Sequence, residues 1–188
     1  MRVIAGTVGG RRLRAPRGDR TRPTSDRVRE ALFASLGPRV RGARVLDLYA
    51  GSGAMGIEAL SRGADSAVFV ESAPAALRAI RDNLDGLAMG DRTKVLGLTA
   101  ERACAGDIDV PVDLVLIDPP YDVVLGSVYD ALADLHRRGM LAPGAQVVIE
   151  RSRRDPQLED TPPRFLASDR IRTYGDTALS YLTADDGD

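Results

Sequence analysis

An acid, two prolines and an aromatic, Asp118-Pro119-Pro120-Tyr121, end an apolar run that begins at Val112. A carboxylate beside a rigid carbonyl and an aromatic face can hold an amine carried on a flat ring. The lone pair of such an amine is delocalised into the ring, so the nitrogen attacks poorly until it becomes more tetrahedral. Asp118 and the carbonyl of Pro119 can accept its two hydrogens and turn the lone pair toward an electrophile, which is catalysis by orientation and electrostatics rather than by prior deprotonation. Pro119 and Pro120 each lock φ and keep that carbonyl in place. Tyr121 offers a surface on which an extruded base can stack.

A second constellation supplies an electrophile. Asp47-Leu48-Tyr49-Ala50-Gly51-Ser52-Gly53-Ala54-Met55-Gly56 has glycines at 51, 53 and 56, and Glu71 lies 20 residues beyond Gly51. On spacing alone this fits a dinucleotide site. Asp47 argues against it, because backbone N–H groups and a helix N-terminus favour negative charge there and a carboxylate would oppose a pyrophosphate. A ligand carrying an ammonium and a sulfonium suits the carboxylate instead. S-adenosylmethionine is such a ligand, and its sulfonium methyl is the electrophile the amine requires. Asp47, Tyr49, Gly51, Gly53, Glu71 and Ser72 are the expected cofactor contacts, with Glu71 accepting from both ribose hydroxyls.

These residues need elements to hold them. Val112 to Ile117 reads as a strand covered on both faces, so Asp118 falls at its carboxyl edge, where open α/β sheets bind ligands. Strands are expected at 44–49, 66–71, 94–98, 112–117 and 145–150, with helices at 54–62, 74–87 and 123–138 and a short, ill-defined helix after 98. That alternation implies a parallel, doubly wound sheet. Gly139 is expected to cap the last of these helices. An amphipathic helix from the Thr24-Ser25-Asp26 caps to Leu36 precedes them, presenting Val28, Leu32 and Leu36 to the sheet while Arg27, Arg29 and Glu30 face elsewhere. Two strands, 164–173 and 178–182, joined through Gly175-Asp176, read as a terminal antiparallel hairpin. Residues 1–23 form a basic hairpin or arm too small for its own core, and 24–188 the main domain.

Composition narrows the chemistry. With 188 residues and 44% hydrophobic content one substantial core is expected. Cys104 and His136 are the only residues of their types, which removes cysteine-rich and histidine-cluster metal sites, and no metal is expected. The apolar runs are far shorter than the roughly 18 residues of a membrane span, and the start lacks a signal peptide's apolar stretch, so a cytoplasmic protein is expected. Net charge is −1, yet Met1 to Arg27 carries eight arginines against two acids. That asymmetry suggests a local surface for a polyanion, with Arg11, Arg12, Arg14 and Arg22 as its candidates. Removing the arm is expected to weaken RNA binding and leave cofactor affinity nearly constant.

Asp-Pro-Pro-Tyr after a buried strand, together with the glycine loop, resembles the amino-methyltransferases of DNA and RNA bases. Arg22-Pro23-Thr24-Ser25-Asp26-Arg27-Val28-Arg29-Glu30-Ala31-Leu32-Phe33, the stretch Gly53 to Gly63, and Tyr174-Gly175-Asp176-Thr177-Ala178 narrow the resemblance. Nearly end to end, the chain resembles the ribosomal RNA small subunit methyltransferase D family. That resemblance implies an α/β, Rossmann-like sheet of seven strands, mostly parallel with a terminal antiparallel strand. It also implies transfer from S-adenosylmethionine to N2 of guanine 966 in 16S rRNA, presented in an assembled or assembling small subunit, by a monomer. The loop expected to hold the adenine, Leu98-Thr99-Ala100-Glu101, departs from the family in lacking an Asp or Asn; Thr99 or backbone N–H groups at Ala100 substitute. The alternatives are a DNA amino-methyltransferase, disfavoured by the lack of a sizeable sequence-reading domain, and a noncatalytic rRNA-binding assembly factor.

Overall fold

A computed structural model describes residues 1–16, 25–158 and 160–185. Seven strands form one sheet: β1 (Arg44–Leu48), β2 (Ser66–Val70), β3 (Thr93–Leu96), β4 (Val112–Ile117), β5 (Leu141–Ser152), β6 (Leu166–Tyr174) and β7 (Thr177–Ala184). Their order is β3-β2-β1-β4-β5-β7-β6, with β7 antiparallel to both its neighbours. The helices are α1 (Asp26–Leu36), α2 (Ala54–Ser61), α3 (Pro74–Gly86), the short α4 (Ala100–Arg102), which runs on as a widened turn to Asp107, and α5 (Leu125–Arg137).

Alternation along the strands divides the core between two faces. Val45 joins one cluster with Leu32, Leu60, Phe69 and Ile80, so α1, α2 and α3 cover that face. Leu46 and Leu48 join the other with Cys104, Leu132 and Leu135, beneath α4 and α5. Leu114 to Ile117 are at most 1% exposed, and burying each such side chain is worth about 1.5–3 kcal/mol. The chain winds outward from β1 through β2 to β3 on one side and from β4 to β5 on the other. The site therefore falls where the direction reverses, between the carboxyl ends of β1 and β4.

Most expected elements recur with small shifts, and the shifts have local causes. Strand β5 starts at Leu141 rather than 145, passing through Pro143 and Gly144 (φ +69), and the β4 register slips between Val112 and Leu114 to accommodate them. Helix α5 starts at Leu125 because Val123 closes a turn onto the Pro120 carbonyl and the Leu125 N–H is taken by Gln157 Oε1. Gly139, at φ +66, ends it as expected, with its N–H on the His136 carbonyl.

One expectation is corrected. Arg29 does not face away from the core: it is fully buried, and its Nη2 donates to the Arg2 carbonyl at 2.6 Å and to Asp26 Oδ1 at 2.7 Å. The N-terminal arm covers it. That arm is a minimal hairpin bridged at Arg2 and Arg12, and its Val3 and Leu13 are buried in the same cluster as α1, α2 and α3. The expected boundary at 23/24 lies outside the described residues. Among those described, no helix is long and apolar enough to cross a membrane.

Candidate active site

The carboxyl ends of β1, β2, β4 and β5 and the turn from β6 to β7 surround a cleft of about 1190 Å³. This lies just above the roughly 300–1,000 Å³ of an ordinary small-molecule pocket. Its half beside β1 and β2 is built from backbone. Past β1 the chain turns sharply: Tyr49 sits at φ +59, a left-handed conformation costly for a bulky residue, and Gly51 follows at φ +56. Gly53, at φ +78, caps α2 and donates to the Ala50 carbonyl at 2.7 Å. A Cβ on Gly51 would meet only the Tyr49 carbonyl, at 4.0 Å, so the loop backbone there is open to a ligand.

Gly53 and Gly56 serve packing instead. A Cβ at Gly56 would come within 2.4 Å of Phe69 Cε1, and one at Gly53 within 3.3 Å of the same atom. Gly53 does not line the cleft, and neither does Asp47. The Asp47 carboxylate lies beneath the loop, 1% exposed, where Oδ2 accepts the Gly56 N–H at 2.8 Å. Burial pushes its pKa up to about 8, against the pull of that N–H, and the negative charges of Asp118 and Glu71 add to the rise. Glu71 does line the cleft, but its carboxylate also ties two loops together: Oε2 accepts from Gly51 N at 2.9 Å, and Oε1 from Ser72 N and Ala73 N at 2.8 Å each.

The remaining expected positions gather at the same edge. Tyr49, Gly51, Ser72, Thr99 and Ala100 line the cleft beside Glu71. Thr99 caps α4, its Oγ1 accepting from Arg102 N at 3.4 Å. Tyr49 Oη donates to Glu101 Oε1 at 3.4 Å, and burial with that neighbouring acid raises the phenol's pKa. Across the cleft stand Asp118, Pro119, Pro120 and Tyr121. Tyr121 is 77% exposed at the edge of the cleft it lines.

Sequence reasoning passed over the support for this edge. Arg151, at the end of β5, is buried; it is ion-paired with Asp155, and its Nη1 donates to the Val123 carbonyl at 2.6 Å, clamping the turn after Tyr121. The only hint in the sequence is its position at a strand end. Of the arm's arginines, Arg11 Nη2 donates to the Gly86 carbonyl at 3.0 Å and Arg14 Nη1 pairs with Asp82 at 2.8 Å, while Arg12 is exposed. None of the three lines the cleft. Arg22 lies outside the described residues. Cys104 is a buried packing thiol, pushed up to about 12 mainly by burial.

The model of the family described as "Conserved hypothetical protein 95" matches residues 1–183. The chain is 37% identical over 182 residues to the putative rRNA methyltransferase YlbH of Bacillus subtilis, covering 96% of this chain and 97% of that protein. It is also 37% identical over 150 residues to the ribosomal RNA small subunit methyltransferase D of Escherichia coli, covering 80% of this chain and 74% of that one. The chain belongs to the ribosomal RNA small subunit methyltransferase D family. Among solved structures, the putative methyltransferase yhhF from Escherichia coli superposes with a TM-score of 0.84 at 34% identity, covering 98% of each chain. The family fold is that of the S-adenosylmethionine-dependent methyltransferases, and S-adenosylmethionine is the cofactor. The cleft fits it: an open glycine backbone at Gly51 and a carboxylate at Glu71 on one side, with Asp118 lining the same cleft.

Proposed function

We propose that the chain methylates the exocyclic N2 amine of a guanine, of the guanine 966 type, in 16S rRNA of an assembled or assembling small ribosomal subunit, acting as a cytoplasmic monomer. The observation that carries this reading is the placement of Asp118 and Pro119 across one cleft from the Gly51 and Glu71 loops. S-adenosylmethionine supplies an electrophilic methyl on a cationic sulfur. Asp118 and the Pro119 carbonyl accept the two amine hydrogens and aim the lone pair across the cleft. Tyr121 stacks on the extruded base. Asp47, although it does not line the cleft, places a titratable carboxyl under the loop nearest the sulfonium. Ser72, Thr99 and Ala100 bound the far end of the cofactor. Arg11, Arg12, Arg14 and Arg22 meet phosphates. The ribosomal substrate is supported by the names of the relatives, YlbH as a putative rRNA methyltransferase and the Escherichia coli protein as a small-subunit rRNA methyltransferase.

The test is labelled methyl transfer to undermodified small subunits, with the modified base located by mass mapping. Loss of one preorganised polar group at a reacting centre costs about 10²–10³ in kcat, so Asp118→Ala should lose at least that much while calorimetry shows cofactor affinity retained. Equal incorporation by native chain and variant would end the Asp118 assignment. Label on a base other than guanine would end the N2 reading. A chain that binds no cofactor would be the noncatalytic assembly factor.

A further inference from the structure

The arm is fastened to the two helices that leave the cofactor loops. On α2, the fully buried carboxylate of Glu58 accepts from Ile4 N at 2.6 Å and Ala5 N at 3.1 Å, and Ser61 Oγ donates to the Ala5 carbonyl at 2.5 Å. On α3, Asn83 is 4% exposed and its amide meets both backbone groups of one arm residue: Oδ1 accepts from Arg14 N at 2.8 Å and Nδ2 donates to the Arg14 carbonyl at 3.0 Å. The same Nδ2 donates to the Ser52 carbonyl at 2.9 Å. Ser52 stands in the glycine loop between Gly51 and Gly53. One buried amide therefore holds an arm residue and the cofactor loop together.

That geometry has an energetic consequence. Displacing the arm leaves Asn83 Oδ1 without its donor in a buried place, and displacing the loop strips Nδ2 of an acceptor, so each departure makes the other easier. A ligand that holds the loop in place favours the docked arm, and a ligand held by the docked arm favours the ordered loop. The arm's arginines can serve such a ligand at little cost. The Arg14–Asp82 pair is exposed, 75% and 50%, and an exposed pair of that kind contributes little stability when exchanged for a phosphate.

We propose that Asn83 is a positioning residue that couples the basic arm to the cofactor loop, so that RNA on the arm and S-adenosylmethionine in the cleft strengthen each other's binding. The inference rests on the reading of the arm as RNA-facing. It replaces the expectation that the arm can be removed without consequence for the cofactor. By linkage the strengthening is equal in both directions.

The test uses the full chain and undermodified small subunits, with affinity measured in the absence and presence of saturating S-adenosylhomocysteine so that no turnover occurs. The native chain should bind subunits at least about fivefold tighter with the cofactor product present, the lower end of ordinary coupling. In Asn83→Ala and Asn83→Asp that ratio should fall to about 1; the aspartate keeps the acceptor for Arg14 N and loses both donated bonds. If thermal melting shows that these variants are destabilised, Arg14→Pro removes the arm's N–H from outside the core and should lower the same ratio. A ratio of 1 in the native chain, or an unchanged ratio in folded variants, overturns the coupling. If Arg12→Ala and Arg14→Ala leave subunit affinity unaltered, the RNA-facing reading of the arm fails and the inference with it.

Discussion

Replacing Asp47 with asparagine removes one ionisable group and leaves the shape of the side chain almost unaltered. In the folded chain, burial raises the Asp47 carboxyl from 3.8 to about 8. The folded state then holds a proton that the unfolded state has released between about pH 4 and pH 8, so stability falls as pH rises through that window and levels off above it. A rise from 3.8 to about 8 corresponds to a ceiling of roughly 5–6 kcal/mol. Water entry and relaxation of the glycine loop lower this, and of the roughly 4 kcal/mol that could fall between pH 5 and 8 a decline of about 2–4 kcal/mol is expected. For a chain of this size that is roughly 5–15 °C in Tm. The assay is thermal denaturation of the cofactor-free chain from pH 5 to 8.5. Asp47→Asn should flatten the decline and melt higher at pH 8, its amide oxygen still accepting from Gly56 N. Because a sulfonium favours the ionised carboxyl, affinity for S-adenosylmethionine relative to S-adenosylhomocysteine should rise with pH in the native chain and stay flat in the variant. Parallel stability profiles for the two chains would refute the reasoning.

Tyr121→Ala should leave stability within about 0.5 kcal/mol, since the ring is 77% exposed, yet cut methyl transfer sharply; an unaltered rate would mean that the ring does not touch the base. Gly6→Ala places a Cβ 1.9 Å from the Ser61 carbonyl oxygen at φ +87, so beyond the roughly 1–2 kcal/mol of backbone cost the arm must lift from α2. Limited proteolysis should then cleave within the first 14 residues, and an arm as protected as in the native chain would contradict the docking.

The sheet was legible because its strands announce themselves: β4 was expected at 112–117 and lies there, β1 and β2 end one residue early, and β3, β6 and β7 shift by one or two residues at their ends, while β5 moves most, reaching back through the Pro143-Gly144 pair to Leu141. Loop positions after strands were equally legible, since a strand end in a parallel sheet is also a site edge. What one-dimensional reading missed was burial created by distant chain. Arg29 looks like solvent-facing charge on a helical wheel, and only the arm, arriving from a separate element, buries it against the Arg2 carbonyl. Asp47 looks like a ligand because it precedes the glycine loop, but alternation along β1 turns its side chain to the face covered by α2, where Gly56 N is nearer than the cleft. Asn83 carries no motif at all.

Orienting a lone pair demands more rigidity than a pair of prolines can provide alone, because the turn beyond them could still swing Asp118 and Tyr121 as a unit. The parallel register of β4 and β5 answers this. Ile117 lies opposite Ile149, so two residues further along β5 the chain places Arg151 behind the turn. Its buried guanidinium is itself held by Asp155 and grips the Val123 carbonyl, while Val123 N is bound to the Pro120 carbonyl. The acceptor edge is thus fixed from in front by proline rings and from behind by a strand that the chain reaches only after α5. On the opposite side Glu71 fixes Gly51 in the same manner, one carboxylate spanning two loops. Each half of the cleft is held by the neighbouring strand rather than by its own motif. On the proposed reading, the spacing between methyl donor and amine is therefore set by the sheet.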